Sequence, residues 1–372
     1  MIDTFVTAAR RGDAPAALAA VSAQDAAFSA RAAVWAGNLH RITWSHLSWK
    51  AGAVGAVRPE PTRRPLVGDA WVQPVTVTWS LPGESRVASD ELWLTFVDEA
   101  VPDGTITRLA GDGDSPVDLA PVPIWLQQPV RLLRAGDVLL LSAAADAETW
   151  TTQAADARRA VTSRIGVARR DRDEVLIVEM PQSQQVFEQT LGVPPGSYAS
   201  VAAAAWPRGP DPTTAPVHVV VNPEASRQLG ELGRQVLLTH EAVHVFTRSA
   251  QSPAPTWLVE GYADEIAYDA YPAGAAPAEK AVTSAIRADG SDRSWPSDKD
   301  FAPDAADLDL AYDLAWTAAH SLAGEDGAAT LNRFYAAVDR GGSIGEAAEE
   351  IGSSEPALLQ RWRRHLTTLA AR

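Results

Sequence analysis

Two histidines separated by three residues constrain this chain more than any other feature of its sequence. His240 and His244 lie in the stretch 236–246, which is mostly apolar, contains neither proline nor glycine, and is therefore predicted to form a buried helix. Four residues make about one helical turn, so both imidazoles project from one face and can share one ion. Glu241 follows the first histidine directly, which places its carboxylate beside such an ion rather than on it. A general base for a metal-activated water is expected at that position.

A second helical pattern supplies a further candidate ligand. Residues 249–255 form a turn rich in serine and proline, and residues 256–267 follow with a helical pattern that carries Glu260. A metal ion held by two histidines needs a third protein ligand and keeps its fourth position for water, and a carboxylate from the next helix is a common solution. The alternative is a core helix whose two histidines are satisfied by hydrogen bonds alone. A carboxylate on the following helix favours the metal site over this alternative.

The residues around Glu260 resemble a known family. The sequence Trp-Leu-Val-Glu-Gly-Tyr-Ala at 257–263 is similar to the WLxEGxA segment of gluzincins, which are zinc metallopeptidases with an HExxH helix and a downstream glutamate ligand. The closest resemblance is to their bacterial peptidase MA-like branch. It covers roughly residues 160–370 and is strongest over residues 236–267. The link between the second histidine and Glu260 is shorter than is usual in that family.

The resemblance implies a cofactor and a role for each residue of the motif. The cofactor is Zn²⁺, with His240, His244 and Glu260 as its ligands and Glu241 as the general base. Asp264 lies one turn after Glu260 and matches an acidic residue that orients a ligating histidine in many gluzincins. A carboxylate at that position fixes the imidazole tautomer and raises its basicity.

A peptidase of this kind also needs a donor for the oxyanion of the transition state. Residues 311–322 form an amphipathic helical pattern that resembles the segment after the zinc site in the same family, and Tyr312 lies there, 52 residues after Glu260 (312 − 260). His320 lies about two turns further along the same predicted helix, so both side chains can share a face. Tyr312 is the preferred candidate, with His320 as the second and a buried core tyrosine as the remaining interpretation of Tyr312.

The composition excludes several kinds of protein. The 372 residues are 46% hydrophobic, which is enough for two domains with their own cores. The formal net charge of −15 argues against the basic surface that nucleic acids or anionic membranes require, so no nucleic-acid partner is predicted. The chain has no cysteine, so a zinc site has to be built from histidine and carboxylate.

No membrane span is predicted in this sequence. The longest apolar run, 138–144, has the length of a buried strand. The first ten residues lack the charged segment and the apolar segment of a signal peptide. Members of the peptidase MA-like branch often lie outside the cytoplasm behind a signal or an anchor. The location therefore stays open between the cell envelope, if such a segment precedes these residues in the cell, and the cytoplasm, and the oligomeric state is open as well.

Residues 1–147 are predicted to be an α+β accessory domain. Residues 14–36 are rich in alanine and predict a helix. Apolar residues then alternate at period two, which predicts antiparallel strands, in three segments: 42–46, 75–79 and 92–96. Turn signals lie at Pro82-Gly83 and at 102–104.

Tryptophan is concentrated in this first part of the chain. Seven of the 13 tryptophans lie between Trp35 and Trp125, which is typical of a curved sheet with a concave aromatic face. The layout resembles the NTF2-like fold, a helix packed into a cone-shaped sheet that can hold a ligand. The alternative is that these tryptophans only fill a core.

Residues 148–372 are predicted to be the zincin-like domain, with a small sheet and mostly helices. Its first elements are a helix at 148–160, a strand at 174–180, a helix at 183–191 and a strand at 217–222. Residues 200–206 have small side chains and are the candidate edge strand to which an extended peptide adds by main-chain hydrogen bonds. A plain loop is the alternative for this segment.

These features together predict a zinc-dependent peptidase that acts on a peptide or protein substrate. The competing prediction is a non-proteolytic scaffold or binding protein that retains the zincin-like domain and binds a ligand or partner through residues 1–147. Such a protein tolerates the loss of Glu241, whereas this chain has both that residue and the full ligand set. The enzyme is therefore the preferred prediction.

Overall fold

The structure is a computed structural model that describes residues 1–52, 66–113, 119–168, 175–302, 305–324 and 327–372. These residues have an α+β organisation, as predicted, with a curled antiparallel sheet and many helices. Their helices are α1 (Ile2–Arg10), α2 (Ala14–Leu18), α3 (Ala26–Arg41), α4 (Ile124–Gln127), α5 (Ala147–Arg164), α6 (Gln184–Leu191), α7 (Pro223–Ser226), α8 (Glu231–Thr247), α9 (Thr256–Ala270), α10 (Ala276–Asp289), α11 (Leu308–Ala323), α12 (Ala328–Asp339), α13 (Ile344–Glu350) and α14 (Glu355–Ala371).

The strands form two separate sheets. They are β1 (His46–Ala51), β2 (Asp69–Ser80), β3 (Ala88–Val101), β4 (Gly104–Asp112), β5 (Arg131–Ala135), β6 (Val138–Ser142), β7 (Leu176–Met180), β8 (Ala203–Pro207) and β9 (Val217–Val221). Short 3₁₀ turns occur at Gly166–Ala168, Ser249–Gln251, Pro272–Ala275 and Asp298–Phe301. None of the helices in the described part of the chain has both the length and the apolar character needed to cross a membrane.

The chain packs into two compact units. The first contains residues 1–151 and 174–228, and the second contains residues 152–173 and 229–372. Residues 174–228, which the sequence analysis assigned to the zincin-like domain, therefore pack with the N-terminal residues. The division into an accessory domain, residues 1–147, and a catalytic domain, residues 148–372, stays a prediction.

The four-stranded sheet of the first unit is antiparallel, in the order β1-β2-β3-β4. Its pairing shifts between Thr95 and Phe96, a β-bulge that increases the local twist of a strand pair. Val75, Val77 and Trp79 alternate along β2 and are fully buried, so the period-two pattern did identify the face that packs on the core. The curved antiparallel sheet was predicted correctly.

The N-terminal segments differ from their predictions in two places. The single helix expected over 14–36 is wrong: α2 and α3 are separate, because Ala20 and Ser22 make backbone hydrogen bonds to Leu109 of β4 instead. Asp25 then caps the new helix by accepting from the Phe28 backbone N–H at 3.0 Å. The strand expected over 42–46 is also wrong, since α3 continues to residue 41 and β1 begins at residue 46.

The five-stranded sheet of the first unit is mixed, in the order β5-β6-β7-β9-β8. The pairs β6–β7 and β7–β9 are parallel, and all five residues of β6, β7 and β9 are buried. The predicted strands at 174–180 and 217–222 correspond to β7 and β9, with residue 174 outside the described residues. Residues 200–206 contribute an edge strand, β8, rather than a plain loop, and its role in binding a peptide stays a prediction.

The described residues of the second unit are mainly helical, and α9 packs against both α8 and α11. Three indole rings stack near the start of α9, with Trp295 between Trp257 (centroids 4.7 Å apart) and Trp362 (5.2 Å). The Trp362 indole N–H donates to the Thr317 hydroxyl of α11 at 3.0 Å. This stack fixes the first turn of α9, directly before Glu260, against α11 and α14.

Candidate metal centre

The three predicted ligand residues come together where α8 packs on α9. The Nε2 atoms of His240 and His244 lie 2.9 Å apart, and each lies 3.3 Å from Oε2 of Glu260. Tetrahedral zinc with ligands at about 2.0–2.1 Å requires donor atoms about 3.3 Å apart. The donor types and their spacing therefore fit a zinc-sized ion, and this is a group of described residues that can hold a metal ion.

Local sequence explains how the two helices meet. α8 ends at Thr247, and the next residue, Arg248, adopts a left-handed conformation with φ of 54° and donates its backbone N–H back to the Val245 carbonyl. A 3₁₀ turn follows, and Pro255 stands directly before the first residue of α9. The Thr256 backbone N–H, which has no partner within the helix, donates to Asp298 at 3.0 Å. The chain thus reverses within a few residues and brings Glu260 back to α8.

The ligand side chains are only partly exposed. The exposed fraction is 15% for His240, 10% for His244 and 17% for Glu260. None of the three is fully enclosed, so each remains partly accessible to solvent. Solvent access of this kind is what distinguishes a catalytic metal site from a closed structural one.

Asp264 orients the first of the two histidines. Its Oδ1 lies 2.7 Å from Nδ1 of His240, so the ring donates its Nδ1–H to the carboxylate and turns Nε2 towards Glu260. Burial acts to lower the pKa of His240, but the carboxylates of Asp264 and Glu260 outweigh it and raise that pKa well above its usual range. Burial acts to raise the pKa of Glu260, but the imidazoles of His244 and His240 outweigh it and lower that pKa.

The second histidine is held differently. His244 is buried, with 8% of the surface of the whole residue exposed. Its Nδ1 has no hydrogen-bond partner among the described residues. The polar contacts of the His244 ring with His240 and Glu260 are therefore all made by its Nε2 atom. A carboxylate thus orients the ring of His240, whereas no described residue contacts Nδ1 of His244 in this way.

Glu241 is buried on the helix that carries both histidines, and its role as a general base stays a prediction. It follows His240 directly and precedes His244 by three residues on α8, so it projects next to the second imidazole. Only 6% of its surface is exposed. A buried carboxylate at this position is shielded from bulk water, which strengthens its interaction with a nearby positive charge.

The structure places the two oxyanion candidates in different surroundings. Tyr312 is half-buried near the start of α11, and its ring packs edge-on against Phe301 with centroids 5.3 Å apart. His320 pairs with Glu265 at 3.0 Å, and its ring lies 5.4 Å from that of His365. Glu265 follows Asp264 and projects about 140° around α9 from Glu260. His320 thus pairs with Glu265, and the choice between Tyr312 and His320 as oxyanion donor stays a prediction.

Sequence reasoning missed two groups that interact with Asp264. Burial, followed by the charges of Asp264 and Asp309, raises the pKa of Asp313 to about 6. Burial, followed by the charges of Asp264 and Asp313, raises the pKa of the Tyr268 hydroxyl. Tyr268 lies one helical turn after Asp264, so the spacing along α9 was the available signal for it. Asp313 lies on another helix, and only the packing of α11 on α9 brings it into range.

Comparison of this chain with protein-family models, with curated proteins and with solved structures finds no match. The function is therefore inferred from the geometry of the three side chains His240, His244 and Glu260. Membership of the gluzincin family, suggested by residues 236–267, stays a proposal.

Proposed function

We propose that this protein is a zinc-dependent peptidase. The observation that carries the proposal is the convergence of His240 Nε2, His244 Nε2 and Glu260 Oε2 within 2.9–3.3 Å on two adjacent helices. A carboxylate on the far nitrogen of a ligating histidine, as Asp264 provides for His240, is the usual arrangement around such ions. We also propose the finer fold assignments, zincin-like for residues 148–372 and NTF2-like for residues 1–147.

The donor set favours zinc among the common ions. Two imidazole nitrogens and one carboxylate oxygen suit zinc, whereas magnesium and calcium prefer oxygen ligands throughout. Three protein ligands leave one position for a non-protein ligand, which favours catalysis over a structural role. Zinc bound there supplies a Lewis acid that polarises a carbonyl and lowers the pKa of a water.

The protein residues carry the proton and orient the ligands. Glu241 accepts the proton of the attacking water and delivers it to the leaving amine, as a general base and then a general acid. Asp264 keeps Nδ1 of His240 protonated so that Nε2 offers its lone pair. Tyr312 is the proposed hydroxyl donor for the oxyanion, because a neutral donor stabilises the developing charge without a titration of its own near neutral pH.

Metal analysis and a cleavage assay on three variants test the proposal. Purified wild type is expected to hold about one zinc per chain. His244→Ala should lose that zinc, whereas His46→Ala, which changes an exposed histidine of β1, should keep it. Glu241→Gln should retain zinc and lose cleavage of a peptide mixture by about 10²–10⁴-fold, since the amide cannot accept a proton.

Each opposing result has a defined meaning. Stoichiometric zinc that persists in His244→Ala places the metal elsewhere in the protein. Cleavage by Glu241→Gln at the wild-type rate rules out Glu241 as the base. Zinc in the wild type without cleavage of any peptide supports the non-proteolytic scaffold instead.

A further inference from the structure

Five ionisable side chains are buried together in the first unit, outside the candidate metal centre. They come from separate elements: Glu84 from the turn between β2 and β3, Asp90 from β3, Glu179 from β7, Arg208 from the residue after β8, and His218 from β9. Their exposed fractions are 8% or less, and the side chains of Glu179 and Arg208 are fully buried. Charged groups withdrawn from water in this way destabilise a fold unless they are paired.

His218 lies between two of the carboxylates. Its Nδ1 is 2.7 Å from Oε1 of Glu179, and its Nε2 is 2.9 Å from Oε1 of Glu84. Both distances are those of strong hydrogen bonds involving charged groups. One imidazole therefore bridges a strand of the five-stranded sheet and a turn of the four-stranded sheet.

The two hydrogen bonds of this bridge require two hydrogens. A neutral imidazole has one N–H, so it can donate to only one carboxylate, and its other nitrogen would then direct a lone pair at a carboxylate oxygen. Two hydrogen bonds therefore need two hydrogens shared among His218, Glu84 and Glu179. Either the ring is an imidazolium between two carboxylates, or the ring is neutral and one of the acids is protonated.

The neighbouring charges select the imidazolium. Arg208 lies 3.4 Å from the same oxygen of Glu179 that contacts His218, and its positive charge keeps that acid ionised. Burial acts to raise the pKa of Glu179, but Arg208 and His218 outweigh it and lower that pKa. The fifth member, Asp90, accepts the Trp79 indole N–H at 2.7 Å, and burial raises its pKa. An imidazole is a stronger base than a carboxylate, so the second hydrogen of the bridge resides on His218 rather than on Glu84.

The turn that carries Glu84 is itself closely fitted to the five-stranded sheet. The backbone N–H of Glu84 donates to the Leu81 carbonyl at 3.2 Å. Gly83 has φ of 94°, as the third residue of a type II turn requires. A β-carbon on Gly83 would lie 2.7 Å from Cγ1 of Val175, just before β7. Residue 83 thus allows the close approach that brings Glu84 to His218.

We propose that His218 is a buried imidazolium clasp that fastens the β2–β3 turn to strand β9 and opens when the ring loses its proton at alkaline pH. Loss of that proton leaves a lone pair facing a carboxylate at 2.7 or 2.9 Å, which is repulsive. The turn, which has exposed residues on its outer side, is the part that can move away. The buried strand β9 stays in the sheet.

The direction of the pH dependence follows from the titration of His218. Burial acts to lower its pKa, but Glu84 and Glu179 outweigh burial and raise the pKa to about 9. A folded-state pKa above that of the unfolded chain, about 6.5, means that the clasp contributes fully below pH 6.5. Its contribution is lost as the pH rises through about 9.

NMR on the full chain labelled with ¹⁵N-histidine tests the proposal directly. At pH 7.5 His218 should have both ring nitrogens protonated, and its signals should titrate near pH 9 rather than near 6.5. His218→Gln should remove this histidine from the spectrum and assign it. Signals assigned to His218 in this way that titrate near the ordinary pKa of a histidine overturn the proposal.

A second variant keeps the test decisive if His218→Gln does not fold. Glu84→Gln retains an acceptor for the ring but removes one of its two negative charges, so the alkaline titration should move towards neutral pH. The protection factor of the backbone amide of residue 84 should fall above pH 9 in wild type and show no such step in Glu84→Gln. Glu91→Gln, an exposed change on β3, is the matched control. An unchanged titration in Glu84→Gln rejects the bridge.

Discussion

Gly261 of α9 lies so close to Ala315 of α11 that a β-carbon on residue 261 would stand 2.2 Å from the Ala315 carbonyl oxygen. The obstacle is backbone, so it cannot be relieved by the rotation of a side chain. Helices α9 and α11 therefore approach each other at a point directly next to Glu260, the proposed third ligand. The close approach of the two helices therefore explains why residue 261, directly after Glu260, is a glycine.

Gly261→Ala should therefore displace α9 from α11 and move Glu260 relative to the histidines. Overpacking of this kind costs about 1–3 kcal/mol of stability, so the melting temperature should fall. Zinc affinity should fall by about 10-fold as well, since the third ligand shifts. Gly345→Ala in α13 is the control, because a β-carbon there has no neighbour closer than 3.9 Å. Equal zinc affinities for both variants, measured by competition with a chelator, would contradict the prediction.

Asp264→Asn should weaken zinc binding without abolishing it. The amide can still contact Nδ1 of His240, but it has no charge with which to raise the basicity of the ring. The expected loss is about 10–100-fold in zinc affinity, with little change in the circular dichroism spectrum. An affinity equal to that of wild type would show that Asp264 does not support the ligand.

Zinc binding should release protons near neutral pH. The pKa of His240 is raised well above its ordinary value, so the ring is protonated at pH 7 and zinc has to displace that proton. Affinity should therefore rise by about 10-fold per pH unit until His240 deprotonates on its own. Calorimetry in two buffers with different protonation enthalpies measures the released protons directly. Asp264→Asn, which lowers the pKa of His240, should reduce their number, and an unchanged release would refute this account.

The sequence predicted the ligand group because its residues are close in the chain. His240, His244 and Glu260 lie on two consecutive helices, so helical spacing and one short turn were enough to bring them together. The breaks in the first unit were not predictable in this way. Residues 19–25 leave the helical conformation to pair with Leu109, a partner about 90 residues away that no local pattern indicates.

Long-range packing also explains what was missed at the two buried sites. Asp313 reaches the neighbourhood of Asp264 only because α11 packs on α9. The bridge of Glu84, Glu179 and His218 joins residues up to 134 positions apart. Within the sequence each of these is an isolated charge next to a strand or turn, and only the sheet topology gives it a partner.

The proposed oxyanion donor gives the last prediction. Tyr312→Phe removes one hydroxyl and keeps the ring that packs on Phe301, so the fold and the zinc content should be unchanged. If the hydroxyl donates to the oxyanion, kcat should fall by about 10²–10³-fold while KM changes little, since the bond forms only in the transition state. His320→Ala is the matched control on the same helix, because that side chain pairs with Glu265 and should not affect turnover. Wild-type turnover by Tyr312→Phe together with a loss in His320→Ala would transfer the role to His320.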